Sequence, residues 1–121
     1  MIKGIGIDIL EISRVDEKLA KRIFSEAEMK LWQKRQAKEF LAGRFALKEA
    51  FFKALGTGIR DVELSDLSFV PDDLGAPHLF ENAVVDALKE KYGFDFVHVS
   101  LSHDNGMAVA VVVIESRKNY T

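Results

Sequence analysis

The stretch Gly4-Ile5-Gly6-Ile7-Asp8-Ile9 constrains this chain more than any other. Its isoleucines recur at every second position. A strand therefore puts Ile5, Ile7 and Ile9 on one face and Gly4, Gly6 and Asp8 on the other. Branching at Cβ favours the extended form, and the strand is expected over Ile2–Ile12. One face is wholly apolar, and the other is bare apart from one carboxylate. Glycine weakens a strand interior and often marks the close approach of a ligand or another backbone. Asp8 thus reads either as an exposed carboxylate without a role or as a metal ligand on a cleared floor.

The second informative segment runs from Arg44 to Gly56. Its spacing predicts the end of a long helix, stopped by Gly56-Thr57-Gly58. At 100° per residue, Ala42, Ala46, Glu49 and Lys53 fall within about 60° of one another. The alanines leave room for a ligand or for close packing. Glu49 and Lys53 also have i,i+4 spacing, so a surface ion pair would account for them too. Arg44 and Lys48 project from an apolar arc of Leu41, Phe51, Phe52 and Leu55. Charges there must snorkel, sit at a surface or subunit boundary, or meet an anion such as phosphate. If the fold joins strand and helix, Asp8, Glu49 and Lys53 form a site for a divalent metal and a phosphate. Two hard oxygen donors with open positions suit Mg²⁺.

The rest of the chain predicts an α+β fold in one domain, residues 1–121, with a largely antiparallel sheet and packed helices. Arg14–Phe24 has helical spacing, and Ser25-Glu26-Ala27-Glu28 is a capping box that starts another helix. A basic stretch, Gln33–Lys38, leads into the long helix. Leu67–Val70 and His78–Phe80 read as short strands around a turn-rich connection, and Asn82–Tyr92 as a helix capped by Gly93. Phe96–Ser102 alternates as a strand, and Asn105-Gly106 is a hairpin signal. Met107–Glu115 is apolar enough for burial on both faces, and Ser116–Thr121 is expected to be loose. His103, beside the hairpin, is either a turn histidine or a phosphate or proton-transfer group. His78 and His98 have weaker claims, and no local His spacing suggests a metal.

Composition excludes several classes. The chain has no cysteine, so disulfides and thiolate metal sites are ruled out and a reducing compartment is the natural reading. Neither a secretory leader nor a membrane-spanning run is evident, so a cytoplasmic protein is expected. Net charge is −2, but residues 14–53 hold eleven Lys/Arg against six Asp/Glu. That excess suggests a surface for an acidic partner, or simply Lys-rich exposed helices. With a pI near 5.9, a nucleic-acid role is not expected.

Three motifs together resemble the holo-acyl-carrier-protein synthases, the small 4′-phosphopantetheinyl transferases. They are Gly4–Ile12, Phe40–Ala50 continuing through Lys53–Gly58, and Val99-Ser100-Leu101-Ser102-His103. The resemblance implies that the chain transfers the 4′-phosphopantetheine arm of coenzyme A to a serine of apo-acyl carrier protein. It implies adenosine 3′,5′-bisphosphate as the other product and a need for Mg²⁺ or Mn²⁺. It assigns Asp8 and Glu49 to the metal and Lys53 to the reacting phosphate. Arg44, Lys48 and His103 would line the coenzyme A site, with Gly56 close by and Arg14 facing the carrier. Either Glu49 or a metal-bound hydroxide would take the serine proton. A homotrimer with sites between subunits is also implied. Two departures stand out: Ala76, where the family often has a lysine, and Phe52, where a small polar residue is common and a ligand hydrogen bond is at stake. Two other functions compete: a non-catalytic module binding acidic proteins, and a Mg²⁺-dependent phosphohydrolase.

Overall fold

The computed structural model describes residues 1–56 and 62–117. The predicted stop at Thr57-Gly58 and the residues from 118 onward lie outside them. An antiparallel sheet is ordered β1-β5-β4, with β1 at Ile2–Glu11, β4 at Phe96–Asp104 and β5 at Met107–Glu115. Asn105 and Gly106 both have positive φ, 52° and 78°. A two-residue hairpin needs that twist, and it sets the register that pairs Asp104 with Met107.

A long helix, α3 (Lys38–Leu55), covers one face of the sheet and runs antiparallel to β1. The glycines of β1 explain how closely it lies. A methyl group at Gly4 would come within 1.9 Å of the Ala54 carbonyl oxygen, and one at Gly6 within 1.9 Å of the Ala50 carbonyl oxygen. The bare face of β1 is therefore cleared for a helix backbone rather than for a ligand. Ala42, Ala46 and Ala50 are likewise fully buried, so the small residues of α3 serve close packing.

The other face of the sheet is open. Ile5, Ile7 and Ile9 are 64%, 60% and 63% exposed. On β5, Ala108, Ala110, Val112 and Ile114 are buried, whereas Val109, Val111 and Val113 are only half-buried. The expectation that β5 is buried on both faces is thus not met by the single chain, because only one face has a covering layer.

The remaining elements pack around α3. The first short helix, α1 (Glu17–Ile23), begins later than its spacing suggested. Asp16 caps it by accepting from the Leu19 N–H at 3.0 Å, which leaves Arg14 in a preceding 3-10 turn. The next helix, α2 (Glu26–Arg35), has the expected reciprocal capping box between Ser25 and Glu28. Strands β2 (Phe69–Pro71) and β3 (Pro77–Leu79) form a separate hairpin. The last helix, α4 (Ala83–Tyr92), is capped by Asn82 and ended by Gly93. One apolar cluster, with Phe51, Leu67, Phe69, Val85 and Phe94, lies between α3, α4 and the sheet. A second joins Ile23, Phe24, Phe40 and Leu41. Phe52 belongs to the first, with its ring edge-on to Phe51 at 5.7 Å. It is a core residue, 3% exposed. Ser116 is tied down, since its N–H donates to the Met1 carbonyl at 2.8 Å and the terminal ammonium donates back. Loosening at Ser116 is therefore not observed.

Candidate active site

Asp8 points from β1 toward α3, at the turn of the helix that carries Glu49 and Lys53. The Lys53 ammonium donates to Asp8 Oδ1 and to the Ile7 carbonyl, both at 3.0 Å. Lys53 thus bonds across to the strand. Its side chain is more than half exposed, while that of Asp8 is mostly covered. Glu49 is half-buried beside them. Its carboxyl is pushed above the usual range, first by burial and then by the charge of Asp8, with Lys53 opposing.

Two carboxylates that repel each other in a half-buried site are an electrostatic demand for a cation. Lys53 meets part of it. The site offers two carboxylates, and no group of three or more acidic, His or Cys side chains able to hold a metal is gathered anywhere among the described residues. The donor set, two hard oxygen ligands with solvent on one side, fits Mg²⁺ or Mn²⁺, which leave positions for water and phosphate.

The other expected site residues go to different places. Lys48 is fully buried. Its ammonium donates to the Glu28 carboxylate and to the carbonyls of Ile23 and Leu64. All three hydrogens are committed inside the protein, which corrects the expectation that Lys48 lines a coenzyme A site. Burial pulls its pKa down, and Glu28 opposes the fall. Arg44 is also turned inward. Its Nε donates to the Phe69 carbonyl at 2.9 Å, and its guanidinium carbon lies 4.4 Å from the Phe40 ring centre. Burial lowers its pKa to about 10, against the pull of Glu28 and with a further push from Arg35. The charges in the apolar arc thus meet an internal carboxylate and backbone carbonyls. Glu28 was visible in the sequence only as a capping residue, and no pattern linked it to Lys48.

Gly56 caps α3 with φ of +80°, three residues beyond Lys53. His103 lies elsewhere. The register sets Asp8, Ala110 and Leu101 side by side across the sheet. His103 is two strands over and two residues further along, on the order of 12 Å from Asp8 by strand spacing and rise. Its Nε2 donates to the Glu39 carbonyl at 3.0 Å, at the start of α3. It opens onto a cleft of about 700 Å³ with Ser13, Lys38 and Asn105. Within one chain, then, His103 and the carboxylate pair face different spaces. His78 pairs with Asp72 and His98 with Glu115, each at 2.8 Å. Arg14 is exposed and borders a cleft with Lys18, Leu19, Arg22 and Phe45.

Two carboxylates and an ammonium thus meet where α3 lies on the glycine-bearing strand β1. Residues 4–112 match the model of the 4′-phosphopantetheinyl transferase superfamily. Within it, the chain belongs to the holo-[acyl-carrier-protein] synthase family, a family of enzymes. The enzyme of that name from Treponema denticola is 46% identical over 123 residues, covering 95% of this chain and 99% of its own. That from Thermotoga maritima is 49% identical over 120 residues; the match covers 98% of this chain and 66% of that protein's length. The crystal structure of the Bacillus anthracis synthase, in complex with CoA (3′,5′-ADP), superposes with a TM-score of 0.81. It is 41% identical, covering 96% of this chain and 98% of its own. The predicted α+β fold is thus the one the relatives have. Among the described residues no helix is long and apolar enough to cross a membrane.

Proposed function

We propose that this protein transfers the 4′-phosphopantetheine arm of coenzyme A to a serine of apo-acyl carrier protein, with Mg²⁺ or Mn²⁺ held by Asp8 and Glu49. The observation that carries this reading is the convergence of Asp8, Glu49 and Lys53 from segments 45 residues apart, in a chain of this family. The serine oxygen attacks the phosphorus that bears the pantetheine. The bond to the neighbouring phosphate breaks, and adenosine 3′,5′-bisphosphate leaves. The metal, when bound, neutralises charge on the diphosphate and acts as a Lewis acid. Lys53, anchored on Asp8 yet exposed, places a positive charge where the leaving oxygen becomes negative. Glu49, whose carboxyl burial and the charge of Asp8 push upward, is a candidate acceptor for the serine proton.

The open sheet face supports a homotrimer. Three isoleucines more than half exposed, with half-buried valines beside them, form an apolar surface of the kind subunits cover. On that reading His103 and Lys38, remote from Asp8 in their own chain, complete the coenzyme A site of a neighbour, with Gly56 close by. Arg14, Lys18 and Arg22 border the apolar cleft at Leu19 and Phe45, a surface suited to an acidic carrier protein. The protein acts in the cytoplasm, where coenzyme A and carrier meet.

Intact-mass spectrometry of an apo-acyl carrier protein tests the reading. One added phosphopantetheine, dependent on coenzyme A and lost with EDTA, is expected. Salt-sensitive binding without any mass change would leave only a docking module, and release of phosphopantetheine without a carrier would indicate a hydrolase.

A further inference from the structure

The pair Glu28–Lys48 has no exposed side-chain surface. Lys48 ties α3 to the end of α1 through Ile23 and to the segment before β2 through Leu64 (2.9 Å). Glu28 holds the start of α2 through Ser25 N–H and the start of β2 through Phe69 N–H, at 3.0 and 2.8 Å. Arg44, one turn earlier on α3, bonds the carbonyl of that same Phe69. Four elements are thus fastened to one turn of α3. Apolar residues of similar volume often stabilise such a place as well or better, so stability alone does not explain the charges.

The residue after Lys48 is Glu49. Where α3 meets β1 the contact is alanine backbone on glycine, and the hydrogen bonds across it come from the exposed Lys53 near the helix end. The buried directional bonds lie on the other side of the helix. We infer that Glu28 and Lys48 are positioning residues for Glu49: they set the rotation and height of α3 and so keep Glu49 over Asp8. This rests on the reading that Asp8 and Glu49 hold a divalent cation.

Direct Mn²⁺ titration by electron paramagnetic resonance tests it on the whole protein. Glu28→Gln alone leaves a buried charge unpaired and risks unfolding. Lys48→Met and the double variant Glu28→Gln/Lys48→Met are therefore measured too, and any that folds reads the same quantity. Val85→Ala, a core change on the buried side of α4, serves as a stability control. The expected result is Mn²⁺ binding weakened about tenfold or more, as for residues that orient metal ligands, with an unchanged circular dichroism spectrum. Val85→Ala should bind Mn²⁺ as the unmodified protein does despite a lower Tm. Activity of the double variant should recover at high Mg²⁺. A folded double variant that binds Mn²⁺ as tightly as the unmodified protein overturns the inference. If the unmodified protein binds no Mn²⁺, or Asp8→Asn binds it equally well, the metal reading itself fails and the inference falls with it.

Discussion

The Lys53 ammonium sits 3.0 Å from Asp8 Oδ1, bridging a helix and a strand 45 residues apart in the chain. The contact joins the one polar side chain on the helix-facing side of β1's centre to the one exposed lysine of the last turn of α3. It is also the point at which the two segments become a single site.

Removing the ammonium should affect the reaction far more than the fold. Lys53→Ala is expected to lower kcat by about 10²–10³-fold, the usual cost of losing one preorganised group at a developing negative charge. Because the Asp8–Lys53 pair is partly exposed, its loss should change stability by less than about 1 kcal/mol. Rates of carrier modification and a urea melt check the two halves of this prediction.

Asp8→Ala should abolish detectable transfer and leave carrier docking intact, because Arg14, Lys18 and Arg22 lie at another cleft. Intact-mass spectrometry reads the first quantity, and binding at low and high salt reads the second. Full transfer by this variant would remove Asp8 from the metal site.

Gly6→Ala should damage the fold from within. Its methyl would fall 1.9 Å from a backbone oxygen, which cannot turn aside as a side chain would. Overpacking of this kind costs about 1–3 kcal/mol and sometimes more. Chemical denaturation should show the loss, and weaker Mn²⁺ binding should accompany it as α3 is lifted off β1.

Ile7→Lys tests the open sheet face. If the proposed homotrimer forms through this face, light scattering should report a trimer for the unmodified protein and monomers for the variant, with the helical spectrum retained. Transfer should fall with assembly, because His103 would no longer reach a neighbour's carboxylate pair.

The β2–β3 hairpin should loosen in acid. Asp72 is held below the usual carboxylate range, first by its hydrogen bond to His78 and then by the N–H groups of Ala76 and Leu74. A lowered folded pKa contributes stability above the unfolded value and loses it as pH falls through the folded one. Faster amide exchange at Leu74 and Ala76 is therefore expected below about pH 4, near the ordinary aspartate pKa, beyond the intrinsic pH trend. Asp72→Asn should show fast exchange at neutral pH as well.

Local rules in the sequence carried much of this protein. The alternation of Ile5, Ile7 and Ile9, the Ser25–Glu28 capping box, the Asn105-Gly106 turn and Gly93 each act within a few residues. Each produced the element it signals. The family motifs also identified the residues that meet at the contact of β1 with α3. Tertiary structure decided what each surface is used for. Gly4 and Gly6 make room for carbonyl oxygens that no local pattern announces. The charges of Lys48 and Arg44 could point outward to phosphate or inward, and only Glu28, Phe69 and the carbonyls of other elements settle them inward. His103 lies across the sheet from Asp8 because β5 runs between their strands. Hydrophobic period and capping are set by neighbours along the chain, whereas the partner of a buried charge is set by where distant elements pack.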